Sequence, residues 1–286
     1  MPKKQCMKAI APAVAFGCTG RRTDRPGECR RRIQRSRSSW EERFLALVDI
    51  LEFKKIVERM AEDPRFYRTV HNILKSLDRQ AEKFSEEKRA TARSIRATRK
   101  RGRMPLIFPA RLEMVAFSDT YIISDTDLLP VLDAVERISS SLLAESILSR
   151  GAVVYGSVYH KGRVVFGPAV NRAHELESLT AVYPRILIDD AVRGEGWFDH
   201  EHRRQGRLFL QDKNDGCWFL NLLAPPFPRR ELSQFLAKKE YSVFLRRVSE
   251  SLNREIELAG GRLPELSKLR WAQTQLNENL VFASSV

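Results

Sequence analysis

Apolar and polar positions follow two different periods along this chain, and each period predicts its own kind of element. Residues 44–50 are nearly all apolar, as in a strand buried on both faces. A helix is expected from about Phe53. Asp63 and Pro64 then have the side chains of an N-cap and a first helical position, and Phe66, Val70, Ile73, Leu74 and Leu77 follow at helical spacing. Arg111–Phe117 and Tyr121–Ser124 predict two strands joined tightly at Ser118, Asp119 and Thr120. A long helix is expected over Leu128–Ser149, with Leu128, Leu132, Val135, Ile138 and Leu142 on one face and Gly151 placed to end it.

A hairpin of Ala152–Tyr159 and Arg163–Phe166 follows, turning at Lys161-Gly162. Gly167-Pro168 opens another helix whose buried stripe is Ala169, Ala173 and Leu176, and Arg185–Asp189 reads as a strand. Arg207–Gln211 and Cys217–Leu220 pair around Asn214-Asp215-Gly216, a strong turn signal, and the pattern is helical from Arg229 onward. The order over 44–189 is β-α-β-β-α-β-β-α-β. It predicts an α+β, ferredoxin-like (split βαβ) fold with a C-terminal β-hairpin and a helical extension.

Composition narrows the class. A chain of 286 residues with 43% hydrophobic residues can bury a core without disulfides or structural metal, and is not wholly disordered. Its apolar stretches fall short of the ~18 residues of a membrane-spanning helix. The formal charge is +14, and its location matters more than its size. Residues 1–40 carry +9, residues 88–103 carry +8, and the rest sums to −3. Three parts are expected: a basic arm over 1–40, a main domain over 41–190 with a basic loop at 88–103, and a C-terminal extension over 191–286. Charge without interleaved aromatics implies at most non-specific nucleic-acid contact through the arm. Cys6, Cys18, Cys29 and Cys217 form neither a disulfide framework nor a zinc spacing, so a reducing, cytoplasmic setting is expected. The apolar run after Lys8 is short, carries Pro12 and runs into arginines, unlike an export signal.

Two carboxylates carry the candidate chemistry. Asp49 ends an otherwise apolar strand, and Asp119 lies in the link between two others. Each alone has a plain structural role, as a helix cap or a turn residue. On a split βαβ sheet those strand ends meet, and two repelling carboxylates at one edge call for a cation between them. Mg²⁺ and Mn²⁺ take hard oxygen ligands and leave positions for phosphate.

Phe44–Lys54 (FLALVDILEFK) and Ala116–Thr120 (AFSDT) resemble the two metal motifs of class III nucleotidyl cyclases. Gly167–Glu177 (GPAVNRAHELE) resembles that family's Asn-bearing helix. Leu142–His160, Ala181–Asp189 and Asp215–Asn221 are similar to the pyrimidine cyclases of bacterial Pycsar anti-phage defence. The resemblance covers about 44–221, in order. It implies that Asp49 and Asp119 ligate two Mn²⁺ or Mg²⁺ ions, with the Ile50 backbone carbonyl added. It implies that backbone N–H groups of Leu51, Glu52 and Phe53 hold a triphosphate, as helix N-termini do. Asn171 would orient the ribose from a second copy, making the working unit a homodimer with shared sites. The implied product is a 3′,5′-cyclic pyrimidine monophosphate, cyclic UMP ahead of cyclic CMP, acting on a separate effector.

Spacing bears on the base. Val115 and Val164 stand where purine cyclases place polar base-reading residues, and neither has a donor or acceptor. Period-two alternation puts Val115, Phe117 and Asp119 on one face, and Leu47, on the same face as Asp49, is a candidate neighbour of the base or sugar. There are two departures: Glu52 stands where the family has Gly, and Glu175 where purine cyclases place an Arg that stabilises the transition state. Arg172 and Arg185 are the candidate substitutes. His200-Glu201-His202 beside Asp199 reads as a solvated turn, His160 as a hairpin-end residue, His174 as helix surface and Trp218-Phe219 as core. Two rival functions remain, an inactive cyclase-homology domain that regulates or dimerises, and a nucleic-acid-binding or polymerising protein.

Overall fold

The structure, a computed structural model, describes residues 40–76, 79, 112–194, 208–223 and 238–285. The basic arm, the 88–103 segment and His200-Glu201-His202 lie outside the described residues, as do Leu77 and Arg111. The fold is α+β. Strands β1 (Glu41–Ile50), β2 (Glu113–Phe117), β3 (Thr120–Asp125), β4 (Ser149–Lys161), β6 (Ile186–Ile188), β8 (Trp218–Leu220) and β7 (Phe209–Gln211) form a sheet in the order β2-β3-β1-β4-β6-β8-β7. Strand β5 (Val164–Phe166) pairs off this path with β4. The β4–β6 pairing is parallel and the others are antiparallel.

Strand β1 is central because both of its faces are apolar, as its sequence predicts. Phe44, Ala46, Val48 and Ile50 point into one core, and Leu45 and Leu47 into another. Helices α1 (Phe53–Glu62), α2 (64–76) and α3 (Leu128–Leu143) cover the first face. The Asp63 carboxylate accepts the amides of Arg65 (2.8 Å) and Phe66 (3.1 Å), so it caps α2 as expected. Helix α4 (Pro168–Leu179) covers the second face through Ala169, Ala173 and Leu176, its predicted stripe.

After a short helix α5 (Asp190–Gly194), the helical hairpin α6 (Lys238–Ala259) and α7 (Leu263–Ser285) builds a third core with Leu143 and Leu223, at the end of α3 and beyond β8. Trp271 of α7 stacks on Tyr183 and meets Phe219 edge-on. The C-terminal hairpin strands thus extend the main sheet, and the helical extension packs against it.

Two expectations are corrected. The long helix stops at Leu143, not Ser149, because Ser146 turns left-handed (φ 56°) and the chain enters β4 at Ser149. Gly151 consequently ends no helix. It lies inside β4 opposite Val48, and a Cβ there would overlap the Leu47 carbonyl oxygen. Only glycine lets β4 come this close to β1.

Candidate active site

Register places the candidate residues in rows across the sheet. Phe117, Thr120, Asp49 and Arg150 are successive cross-strand partners in β2, β3, β1 and β4. Val115, Ile122, Leu47 and Ala152 form the next row on the same face. Ser118 adopts a left-handed conformation (φ 57°) that closes the β2–β3 turn and brings Asp119 back to the end of β1. There the Ile50 amide donates to the Asp119 carbonyl oxygen at 3.0 Å. The two acids therefore do share one sheet edge.

Asp49 is held by both oxygens. Thr120 Oγ1 donates to Oδ1 at 3.3 Å, and Arg150 Nε lies 3.7 Å from Oδ2. Arg150 also lies 2.6 Å from Glu177 Oε1, an ion-pair contact whose N–H is not aimed along it. Burial, then the charges of Glu177 and Asp119, raise the Asp49 pKa above the usual carboxylate range; Arg150 and the Thr120 bond only partly oppose them. Arg150 thus serves two carboxylates at once, with the charge of Asp119 added at the same edge. Among the described residues no cluster of three or more His, Cys, Asp or Glu side chains has the arrangement of a metal site. What is present is a two-carboxylate edge with excess negative charge. That donor set fits Mg²⁺ or Mn²⁺, which bind through one or two carboxylates with substrate phosphates and water completing the shell.

The α1 terminus differs from expectation. The Leu51 amide donates to the Leu148 carbonyl oxygen at 2.9 Å, so it is already used by the fold and is not free for a triphosphate. Glu52 occupies the N-cap with φ 58°, which explains why glycine suits the position. Its side chain caps nothing. It reaches Lys268 of α7 (2.9 Å) and Lys55 (3.1 Å), and Lys55 also pairs with Glu265. Burial alone would raise the Glu52 pKa, but the bonds from Lys268 and Lys55 outweigh it and hold the carboxyl low. The amides of Glu52 and Phe53 lie in the first turn, where no intrahelical partner exists. A cavity of about 590 Å³ opens between this turn, the α3–β4 loop and the α6–α7 hairpin, lined by Glu52, Lys55, Arg59, Arg262 and Lys268 among others.

The remaining candidates fall in different places. Leu47 is buried in the second core under α4 and offers no surface to a base. Val115 is partly exposed in the neighbouring row, and Val164 is exposed. Asn171 and Glu175 are exposed on α4, facing away from their own chain. Arg172 is bound to Asp189 (2.9 Å) and Glu175 (3.2 Å). Arg185 does not substitute for the missing arginine: it is 1% exposed and tied to Asp212 (2.7 Å) and Asp215, bracing the β7–β8 turn. His160 stands at the end of the β4–β5 hairpin, as expected, paired with Val165; it is also buried, with Nδ1 2.8 Å from Ser124 Oγ. His174 is exposed and Phe219 is core, as expected.

Arg150, Glu177 and Thr120 were not visible as site residues in the sequence. A helix extended to Ser149 hides the strand register that sets Arg150 opposite Asp49. No family model and no curated protein matches the chain. No described helix is long and apolar enough to cross a membrane.

Proposed function

We propose that the chain is a pyrimidine nucleotide cyclase, converting UTP, ahead of CTP, to the 3′,5′-cyclic monophosphate and pyrophosphate. The observation that carries this reading is the convergence of Asp49 and Asp119 at one sheet edge with carboxylate charge in excess. The order β2-β3-β1-β4, with β2 parallel to β1 and β3 between them, supports the ferredoxin-like arrangement expected of a class III nucleotidyl cyclase.

Asp49, Asp119 and the Ile50 carbonyl would hold the Mn²⁺ or Mg²⁺ ions. Such ions activate an attacking hydroxyl and stabilise the leaving oxygens of a phosphoryl displacement. The chain's own work is to fix both carboxylates. Thr120 orients Asp49, and the Ile50 amide pins the turn that carries Asp119. The amides of Glu52 and Phe53 are the remaining seat for the triphosphate. Asn171 is exposed and would meet the ribose bound by a second copy. Two exposed apolar side chains support that homodimer: Phe117, in the row of Asp49, is 83% exposed, and Leu179, at the end of α4, is 74% exposed. Arg172 would have to leave Asp189 to act on the transition state. Val115 and Val164, without polar groups, favour a base other than a purine. The cyclic product would act as a second messenger on a separate effector in anti-phage defence.

A second reading, an inactive cyclase-homology domain, draws on the occupied Leu51 amide and the Glu52 carboxylate beside the triphosphate seat. Incubating the purified chain with each of the four ribonucleoside triphosphates and Mn²⁺, followed by mass spectrometry, separates the two. Cyclic UMP or cyclic CMP is the expected product; a folded chain that makes no cyclic nucleotide favours the second reading.

A further inference from the structure

Arg150 is the one cation drawn to Asp49 among the described ion pairs, and it is shared. Its backbone is fixed directly across from Asp49 by the β1–β4 register. Its guanidinium lies nearer Glu177 (2.6 Å) than Asp49 (3.7 Å), and neither contact is an aligned hydrogen bond. Glu177 is 5% exposed and comes from α4, so the guanidinium bridges sheet and helix. A guanidinium in contact with two acids, its Nε–H aligned on neither, can pass from one to the other by a small shift of a single side chain. A fixed structural pair would instead show a forked, well-aligned geometry.

We propose that Arg150 is a mobile counter-ion that shields Asp49 when no divalent cation is bound and is taken up by Glu177 when one is. Arg150 and Glu177 are then positioning residues that set the metal affinity of the acid pair. This rests on the reading of Asp49 and Asp119 as cation ligands. Electrostatics gives the two residues opposite signs. Without Glu177, Arg150 has Asp49 as its remaining acid and competes with the metal, while one negative charge is lost from the site. Both effects weaken binding. Without Arg150, the competitor is gone and the site gains negative charge, which strengthens binding. Glu177 on α4 also links Asp49 to the helix that presents Asn171, so cation binding at one site would be felt by the helix serving the other.

The test is direct Mn²⁺ binding to the full chain, read by electron paramagnetic resonance of free Mn²⁺, with no nucleotide present. E177Q should weaken binding about tenfold, the scale of groups that orient metal ligands. R150Q should tighten it, R150K should resemble wild type, and R150Q with E177Q should return towards wild type. Thermal melts of every variant verify folding. Loss of binding in D49A, together with an unchanged E177Q or an R150Q as weak as E177Q, overturns the counter-ion role while leaving the metal site standing. Equal Mn²⁺ binding by wild type and D49A removes the metal site itself.

Discussion

Asp49 and Glu52 stand three residues apart on one turn of chain, and their surroundings push them in opposite directions. Asp49 feels the charges of Asp119 and Glu177 with Arg150 as its one ion-pair partner among the described residues, and its pKa is raised. Glu52 is clasped by Lys268 and Lys55, and its pKa is lowered. A carboxylate left with too little positive charge is costly, and such sites are where cations bind. A carboxylate matched by two lysines is satisfied by the fold. One side of the turn is thus arranged to receive charge, and the other to fasten the C-terminal hairpin to α1. Glu52, which looks from sequence like a carboxylate aimed at a triphosphate, is drawn towards α7.

The largest break in this comparison comes on the Asp49 side. G151A should cost about 3 kcal/mol in a denaturant melt, because the added methyl pushes β4 away from β1. It should weaken Mn²⁺ binding along with stability, since the clash falls on the Leu47 carbonyl of β1, two residues from Asp49. Glu136 on α3 sharpens the comparison, as a partly buried acid whose nearby cation, Arg137, does not offset its desolvation. Burial raises its pKa to about 7. Between about 4.5 and 7 the native chain keeps a proton that the unfolded chain has lost, so this group's contribution falls as pH rises. E136Q should flatten that slope and stabilise the protein at pH 8 by about 2 kcal/mol, the full shift discounted for partial exposure. Thermal melts at pH 4.5 and pH 8 would test it, and an equal effect at both would contradict it.

Breaking the Glu52 side should cost least. E52G relieves a left-handed residue worth about 1 kcal/mol and loses two partly exposed ion pairs of similar size, so stability should change by less than about 1 kcal/mol. Removing the carboxylate from beside the Glu52 and Phe53 amides should tighten binding of inorganic tripolyphosphate, measured by calorimetry. Weaker binding would mean that the Glu52 clasp holds the seat in shape.

Most of the sheet was legible from sequence because β1 is apolar throughout and the Lys161-Gly162 and Asn214–Gly216 turns are chemically marked. The acid pair was legible because carboxylates at the ends of apolar segments stand out. What failed depended on contacts distant in sequence. The apolar stripe of α3 runs on through Ile147 and Leu148, so periodicity overshot the left-handed Ser146 and assigned Gly151 to a helix end. Arg150 and Glu177 stand 101 and 128 residues from Asp49 along the chain, and only strand register and helix docking bring them to it. Arg185 read as a spare arginine because nothing local shows that Asp212 and Asp215 fold back onto it. The Leu51 amide read as free because its acceptor, Leu148, was assigned to the overextended helix.

The central claim is that the acid pair of one copy works with Asn171 of another. Mixing D49A with N171A after dissociation and reassociation tests both halves at once. Each variant alone should make no cyclic pyrimidine nucleotide. The mixture should recover about a quarter of wild-type activity, since half the dimers are mixed and each holds one intact site. Activity in either variant alone, or a mixture that reassociates yet stays inactive, would contradict the shared site.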